Sequence, residues 1–199
     1  GPGDDAAVLA SGAGVQVLTT DHLRSFCNDF SLMTRLTALH ALGDVWAMGA
    51  RPQVALAQVT LPPLGPELQG RALAEIMEAA STTFRAAGAD VVGGHSTEGA
   101  ELTIGFTVTG TAPRVVAKGG ARVGDALILT KPLGSGTILA AEMALARLPG
   151  RMLGEIWAGC IDQMLREQGS AATILGPHAH AMTDVTGFGL AGHLLEMLE

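Results

Sequence analysis

The chain has 199 residues, 48% hydrophobic and 16% charged, with a net charge of −7. That length buries a core without covalent staples, and its two cysteines, Cys27 and Cys160, argue against a disulfide framework and fit a reducing cytoplasm. The acidic balance, with no clustered Lys or Arg, argues against a non-specific nucleic-acid binder, and no apolar run reaches bilayer-spanning length.

Two β-branched and apolar runs, residues 6–9 and 14–20, flank Ser11-Gly12-Ala13 and predict two strands joined by a turn, the second ending at Asp21. From residue 30 to 48 apolar residues recur at helical spacing (Leu32, Leu36, Leu39, Leu42, Val45, Trp46). Gly49 and Pro52 stop that helix, so Asp44 falls in its last turns. Residues 53–61 read as a strand closed by Pro62-Pro63, and 67–87 as a long helix ended by Gly88. Val91-Val92 then leads into Gly93-Gly94-His95-Ser96, and residues 102–109 alternate as a strand.

Around residues 113–124 the pattern gives way to glycines and basic residues, the expected boundary between a first domain, 1–113, and a second, 114–199. Beyond it the predicted elements are a strand at 126–130, helices at 137–148 and 152–167, a short strand at 179–183 and a helix at 190–198. Strands and helices alternate irregularly, which predicts an α+β fold rather than a doubly wound sheet. The chain opens inside a Gly-Asp turn and stops within a helical pattern, so it is expected to be a piece of a longer protein.

Asp5, Asp21, Asp44 and Asp184 stand beside small residues at predicted strand or helix ends. Carboxylates so placed can converge on a hard cation, and Mg²⁺ bridging phosphate oxygens needs only a few of them plus water. Each also suits a helix cap or an Asx turn, the commoner use of a single Asp. Asp184 is the most cap-like of the four, and Asp44 the least, because inside a helix it meets no orphan amide. Three Gly-rich stretches, at 93–96, 131–136 and 187–189, offer backbone amides to phosphate or simply turn the chain. None is a Walker A loop or a dinucleotide fingerprint, and no GxSxG elbow supports Ser-His-Asp catalysis. His95 and His193 suit either ligation and proton transfer or ordinary turn and helix surfaces.

Taken in order, GDDAAV, TTD, ALGDVWAMGARP, ADVVGGHS, TVTG, LILTKPLGSG and AMTDVTGFGLAGHL resemble the selenophosphate synthetases, relatives of aminoimidazole ribonucleotide synthetase. The resemblance runs from Gly3 to about Leu195. It implies an α+β, aminoimidazole ribonucleotide synthetase-like two-domain fold with the second domain truncated. It also implies conversion of selenide, ATP and water to selenophosphate, AMP and phosphate. The metal ligands it implies are Asp5, Asp21, Asp44 and Asp184, holding Mg²⁺, with K⁺ as a further ion. Nucleotide contacts are implied for Pro2, Gly3, Asp4, Asp21, Asp44, Gly94, His95 and Ser96. A homodimer paired through first-domain strands is implied as well; the cytoplasmic location, with neither nucleic acid nor membrane as a partner, is the expectation from composition.

Two departures from the family stand out. Its segment with a Cys or selenocysteine and a catalytic Lys would precede Gly1, so no catalytic residue is assigned and the chain alone is expected to be inactive. His40 stands where the family usually has Asn. The rival readings are another ATP-using synthetase of the same superfamily, and a nucleotide-binding module without catalysis.

Overall fold

Every strand of the described residues falls in the first 112 of the chain. The computed structural model describes residues 4–12, 14–145 and 149–199; Pro2, Gly3, Ala13 and the end of the helix expected at 137–148 lie outside them. In chain order the first part comprises β1 (Ala7–Ser11), β2 (Gly14–Arg24), α1 (Phe30–Ala47), β3 (Arg51–Leu61), α2 (Pro66–Ala86), β4 (Asp90–Glu98) and β5 (Thr103–Ala112). The strands form one sheet in the order β1-β2-β5-β3-β4. All neighbours are antiparallel except β3 and β4, whose parallel pairing requires the crossover that α2 supplies.

Helix α1 begins where the Asp29 side chain accepts the Leu32 N–H at 2.7 Å, and it stops at Ala47, two residues before Gly49, whose φ of 67° favours a residue without Cβ. Its Met33, Leu36, Ala38, Ala41, Leu42 and Val45 are buried, because the helix is sandwiched between the sheet and α2. From the sheet, Val17, Ile104, Phe106 and Val108 meet it, and Phe84 of α2 packs edge-on against Phe106 at 4.9 Å between centroids. Gly110 on β5 lets this layer close: a Cβ there would stand 2.5 Å from Val45 Cγ1 and 2.9 Å from the Arg51 carbonyl oxygen.

The second part holds α3 (Ser135–Met143), α4 (Gly150–Met164), α5 (Gly169–Leu175) and α6 (Gly189–Met197). The strands expected at 126–130 and 179–183 do not form. A strand exists only through a neighbour's hydrogen bonds, and none of the five paired strands is adjacent; Leu127, Ile128 and Leu129 are accordingly exposed. Helix α5, whose seven residues are too few to show a period, was not anticipated, and α4 stops at Met164 rather than reaching 167. In the first part, β2 continues past Asp21 to Arg24, and the glycines at 93–94 belong to β4 rather than to a loop. The mixed sheet with helices is the α+β arrangement expected.

Packing at Gly110 sets up a direct comparison with Gly70, which lies exposed on α2 with nothing near its missing Cβ. Gly110→Ala is expected to destabilise by about 1–3 kcal/mol through overpacking, and Gly70→Ala to stabilise by about 0.5–1 kcal/mol through helix propensity. Urea unfolding of both variants measures the difference, and equal midpoints would contradict the packing.

Candidate functional site

Asp44 projects from the last turns of α1 and Asp21 from the middle of β2, opposite Phe106 of β5. Asp5 lies just before β1, and Asp184 lies in the irregular segment ahead of α6. The fold brings these four acids, from opposite ends of the chain, within electrostatic reach of one another. Close approach of α1 to the 184 segment depends on Gly43, where a Cβ would stand 3.3 Å from Asp184 Oδ2. The capping alternative for Asp184 does not hold: α6 begins at Gly189 after Phe188, with no side-chain cap.

Each acid has its own surroundings. Burial first, and then the charges of Asp184, Asp21 and Asp5, together push Asp44 up to about 7 against a hydrogen bond donated by Thr19 Oγ1. Asp184 is likewise raised by burial and by Asp5. Asp5 is raised because its burial outweighs Lys118, whose Nζ lies 2.8 Å from Asp5 Oδ1. Thr183 Oγ1 donates to the same oxygen at 3.2 Å, whereas Asp5 Oδ2 is buried with no hydrogen-bond partner. Asp21 is the exception. Burial pushes it up, but the hydrogen bond and charge of His40 and the His22 amide together hold it below the usual carboxylate range. His40 Nε2 stands 2.8 Å from Asp21 Oδ2, and that bond raises the imidazole in turn.

No three His, Cys, Asp or Glu side chains among the described residues form a ready-made metal cage. The donor set is nevertheless hard oxygen, it includes the orphaned Asp5 Oδ2, and neither Asp44 nor Asp184 forms an ion pair among the described residues. Mg²⁺ fits that description, since it is commonly held by one or two carboxylates with water and substrate phosphates completing the shell.

The remaining predicted residues fall in two places. Asp4 is beside the cluster and accepts the Lys118 backbone N–H at 3.2 Å. Gly94, His95 and Ser96 lie on the exposed edge strand β4. There Gly93, Gly94, His95 and Ser96 line a cavity of about 210 Å³ floored by Ala57, Val59, Leu73 and Met77. Gly94 is required, because a Cβ would fall 2.0 Å from the Ala57 carbonyl oxygen. Strands β5 and β3 separate β4 from β2, so roughly 14 Å of sheet lies between this cavity and Asp21 at the usual strand spacing.

Sequence reasoning passed over Lys118, Thr19 and Thr183. The signal for Lys118 was a lysine among the glycines of 113–124, which read there as linker composition. His193, left open between ligand and helix surface, is buried and bonded within the chain: its Nε2 accepts the Thr186 N–H at 3.1 Å.

Comparison with known proteins gives a consistent result. Residues 3–112 match the model of the AIR synthase related protein N-terminal domain, and residues 122–199 that of the corresponding C-terminal domain. The selenide, water dikinase of Geobacter metallireducens is 40% identical over 98% of this chain and 56% of its own length; that of Nitratidesulfovibrio vulgaris strain Miyazaki F is 38% identical over 98% and 55%. The chain thus spans about half the length of the curated relatives it matches. Among solved structures, thiamine monophosphate kinase of Aquifex aeolicus shares the fold at a TM-score of 0.71 and 21% identity, over 92% of this chain and 62% of that one. Hydrogenase maturation protein HypE in complex with ATP does so at 0.68 and 20%, over 97% and 58%.

The raised carboxyls predict a pH dependence in the metal-free chain. Asp44 binds its proton more tightly folded, at about 7, than in an unfolded chain at about 3.9, so its contribution to stability is full below about pH 4 and is lost as pH rises toward 7. Raised His40 acts in the same sense, whereas lowered Asp21 loses its contribution only in acid. The thermal midpoint without metal is therefore expected to fall between about pH 5 and 8, and Asp44→Asn to flatten the fall. Scanning calorimetry across that range checks it.

Proposed function

From the chain's membership of the AIR synthase related family, we propose that it serves the ATP-dependent formation of selenophosphate from selenide and water, with AMP and phosphate as the other products. The observation that carries this reading is the convergence of Asp5, Asp21, Asp44 and Asp184 from motifs spread over the whole chain. The names of relatives at about 40% identity supply the reaction class. A triphosphate cannot approach such a group of carboxylates unless cations stand between them. Asp5, through its unpartnered Oδ2, and Asp44 and Asp184, through carboxyls that form no ion pair among the described residues, would hold Mg²⁺. When bound, Mg²⁺ supplies charge neutralisation and orientation of phosphate oxygens. Asp21 takes part with one oxygen engaged by His40, and K⁺ is proposed as a further ion at the same acidic surface.

Nucleotide contacts are proposed for Asp4 beside the cluster, for Pro2 and Gly3, and for Gly94, His95 and Ser96. The exposed β4 edge suits pairing between two copies, and a homodimer would let the 94–96 stretch of one subunit approach the acids of the other despite their separation within one chain. We assign residues 1–113 to ATP and metal binding and to dimerisation, and 114–199 to part of a second domain. A cytoplasmic site of action fits the two free cysteines.

Calorimetry with a non-hydrolysable ATP analogue tests the reading. Mg²⁺-dependent binding is expected in the parent chain and a loss of roughly 10-fold or more in Asp184→Asn, with the thermal midpoint preserved. Binding indifferent to both Mg²⁺ and the substitution would refute it. His40→Asn is expected to act oppositely, releasing Asp21 Oδ2 from its cation and tightening Mg²⁺ severalfold in the same titration.

A further inference from the structure

Four segments of chain meet at Lys118. Its Nζ lies 2.8 Å from Asp5 Oδ1 and 3.3 Å from Glu196 Oε2, with only 12% of the lysine side chain and 3% of the aspartate exposed. Its backbone is fastened too. The Lys118 N–H donates to Asp4, the Ala117 carbonyl accepts the Met182 N–H at 3.1 Å, and the Ala121 N–H donates to the Met197 carbonyl at 3.0 Å. One short stretch is thereby tied to the Asp4-Asp5 pair, to the 182–184 segment and to the end of α6.

Helix α6 carries the second half of the arrangement. Glu196 Oε2, which faces Lys118, is also 3.5 Å from His193 Nδ1. His193 Nε2 in turn accepts the Thr186 backbone N–H at 3.1 Å. A backbone N–H can only donate, so Nε2 presents its lone pair and the ring proton belongs on Nδ1, toward Glu196. The ring is 3% exposed, and Phe188 packs at 5.8 Å between centroids. Thr186 lies two residues after Asp184, so the histidine grips the segment that presents this acid.

We propose that Lys118, Glu196 and His193 form a brace of positioning residues that fixes the direction of Asp5 and Asp184 toward a shared Mg²⁺-nucleotide ligand. The proposal rests on the reading of the acidic cluster given above. Lys118 and Thr183 occupy Oδ1 of Asp5 and leave the buried Oδ2 without a partner, so the carboxylate is pinned by one oxygen and presents the other. His193 does the corresponding work for the Asp184 segment through its backbone, and Glu196 Oε2 lies between the two grips, near Lys118 and His193 but with no hydrogen bond to either. The arrangement also gives a physical reason for the histidine in the TDVTGFGLAGH stretch: about one turn along α6, it returns to hold the loop that precedes the helix.

Two measurements on the full chain test the brace. In calorimetry with the ATP analogue at graded Mg²⁺, Lys118→Met and His193→Leu are expected to raise the Mg²⁺ requirement roughly 10- to 100-fold, the range for residues that orient metal ligands. His193→Gln, whose side-chain oxygen can accept the Thr186 N–H, is expected to restore most of the loss. In nitrogen-15 NMR of the nucleotide-free parent chain, His193 is expected to carry its proton on Nδ1 and to couple to the Thr186 amide. Folded Lys118→Met and His193→Leu variants that bind as the parent does, or a proton on Nε2, would overturn the brace. A parent chain that binds no analogue would sink the functional reading instead; the NMR result then decides the brace by itself, as it does where a variant fails to fold.

Discussion

The cost of burying carboxylates beside one another governs the architecture around the site. Asp44, Asp184 and Asp5 all hold their protons more tightly than a solvated carboxyl, first because they are buried; Asp44 also feels the charges of Asp184, Asp21 and Asp5, and Asp184 that of Asp5. An arrangement of this kind persists only where the rest of the fold enforces it. Sandwiching α1 between sheet and α2 does so for Asp44, the β2 ladder does so for Asp21, and Gly43 admits Asp184 to the same neighbourhood. Two of the acids are offset by cations of the chain itself, Asp5 by Lys118 and Asp21 by His40. Asp44 and Asp184 form no ion pair among the described residues, although His40 and His193 act on Asp184 from a distance, and it is there that an external cation would have the largest effect.

Much of the first part was legible in the sequence because its signals are local and strong. Eighteen residues of α1 announce themselves by apolar spacing with a Gly stop, and β3 and α2 by their Pro and Gly punctuation. The misreadings share a cause. Residues 126–130 have every local property of a strand, yet strand formation is a property of pairs and no partner lies beside them. Asp21 looked terminal because the polar His22 and Arg24 interrupt the apolar run, while the ladder to β5 continues through both.

The acids were visible as motif residues, but their second contacts were not. Lys118 lies 113 positions from Asp5, and nothing in the composition of a Gly-rich stretch says which lysine will turn inward. His193 illustrates the same limit from the other side: its spacing on α6 is plain, whereas its bond to Thr186 depends on how the chain folds back before the helix begins. Contacts of that kind are tertiary, and periodicity carries no information about them.

The unpaired stretch near residue 127 has a consequence for how the chain behaves in a crowded solution. Leu127, Ile128 and Leu129 form a β-prone, apolar run that is 63%, 64% and 52% exposed, the profile of a segment that templates intermolecular pairing. Its flanks oppose that outcome: Asp125 stands on one side, and Lys131 followed by Pro132 on the other. A charge at each end and a proline that cannot donate to a ladder act as gatekeepers, raising the kinetic barrier to self-association while leaving the run free to pair with a strand of its own fold. Protection of this one run against self-association therefore falls to three residues outside the acidic cluster.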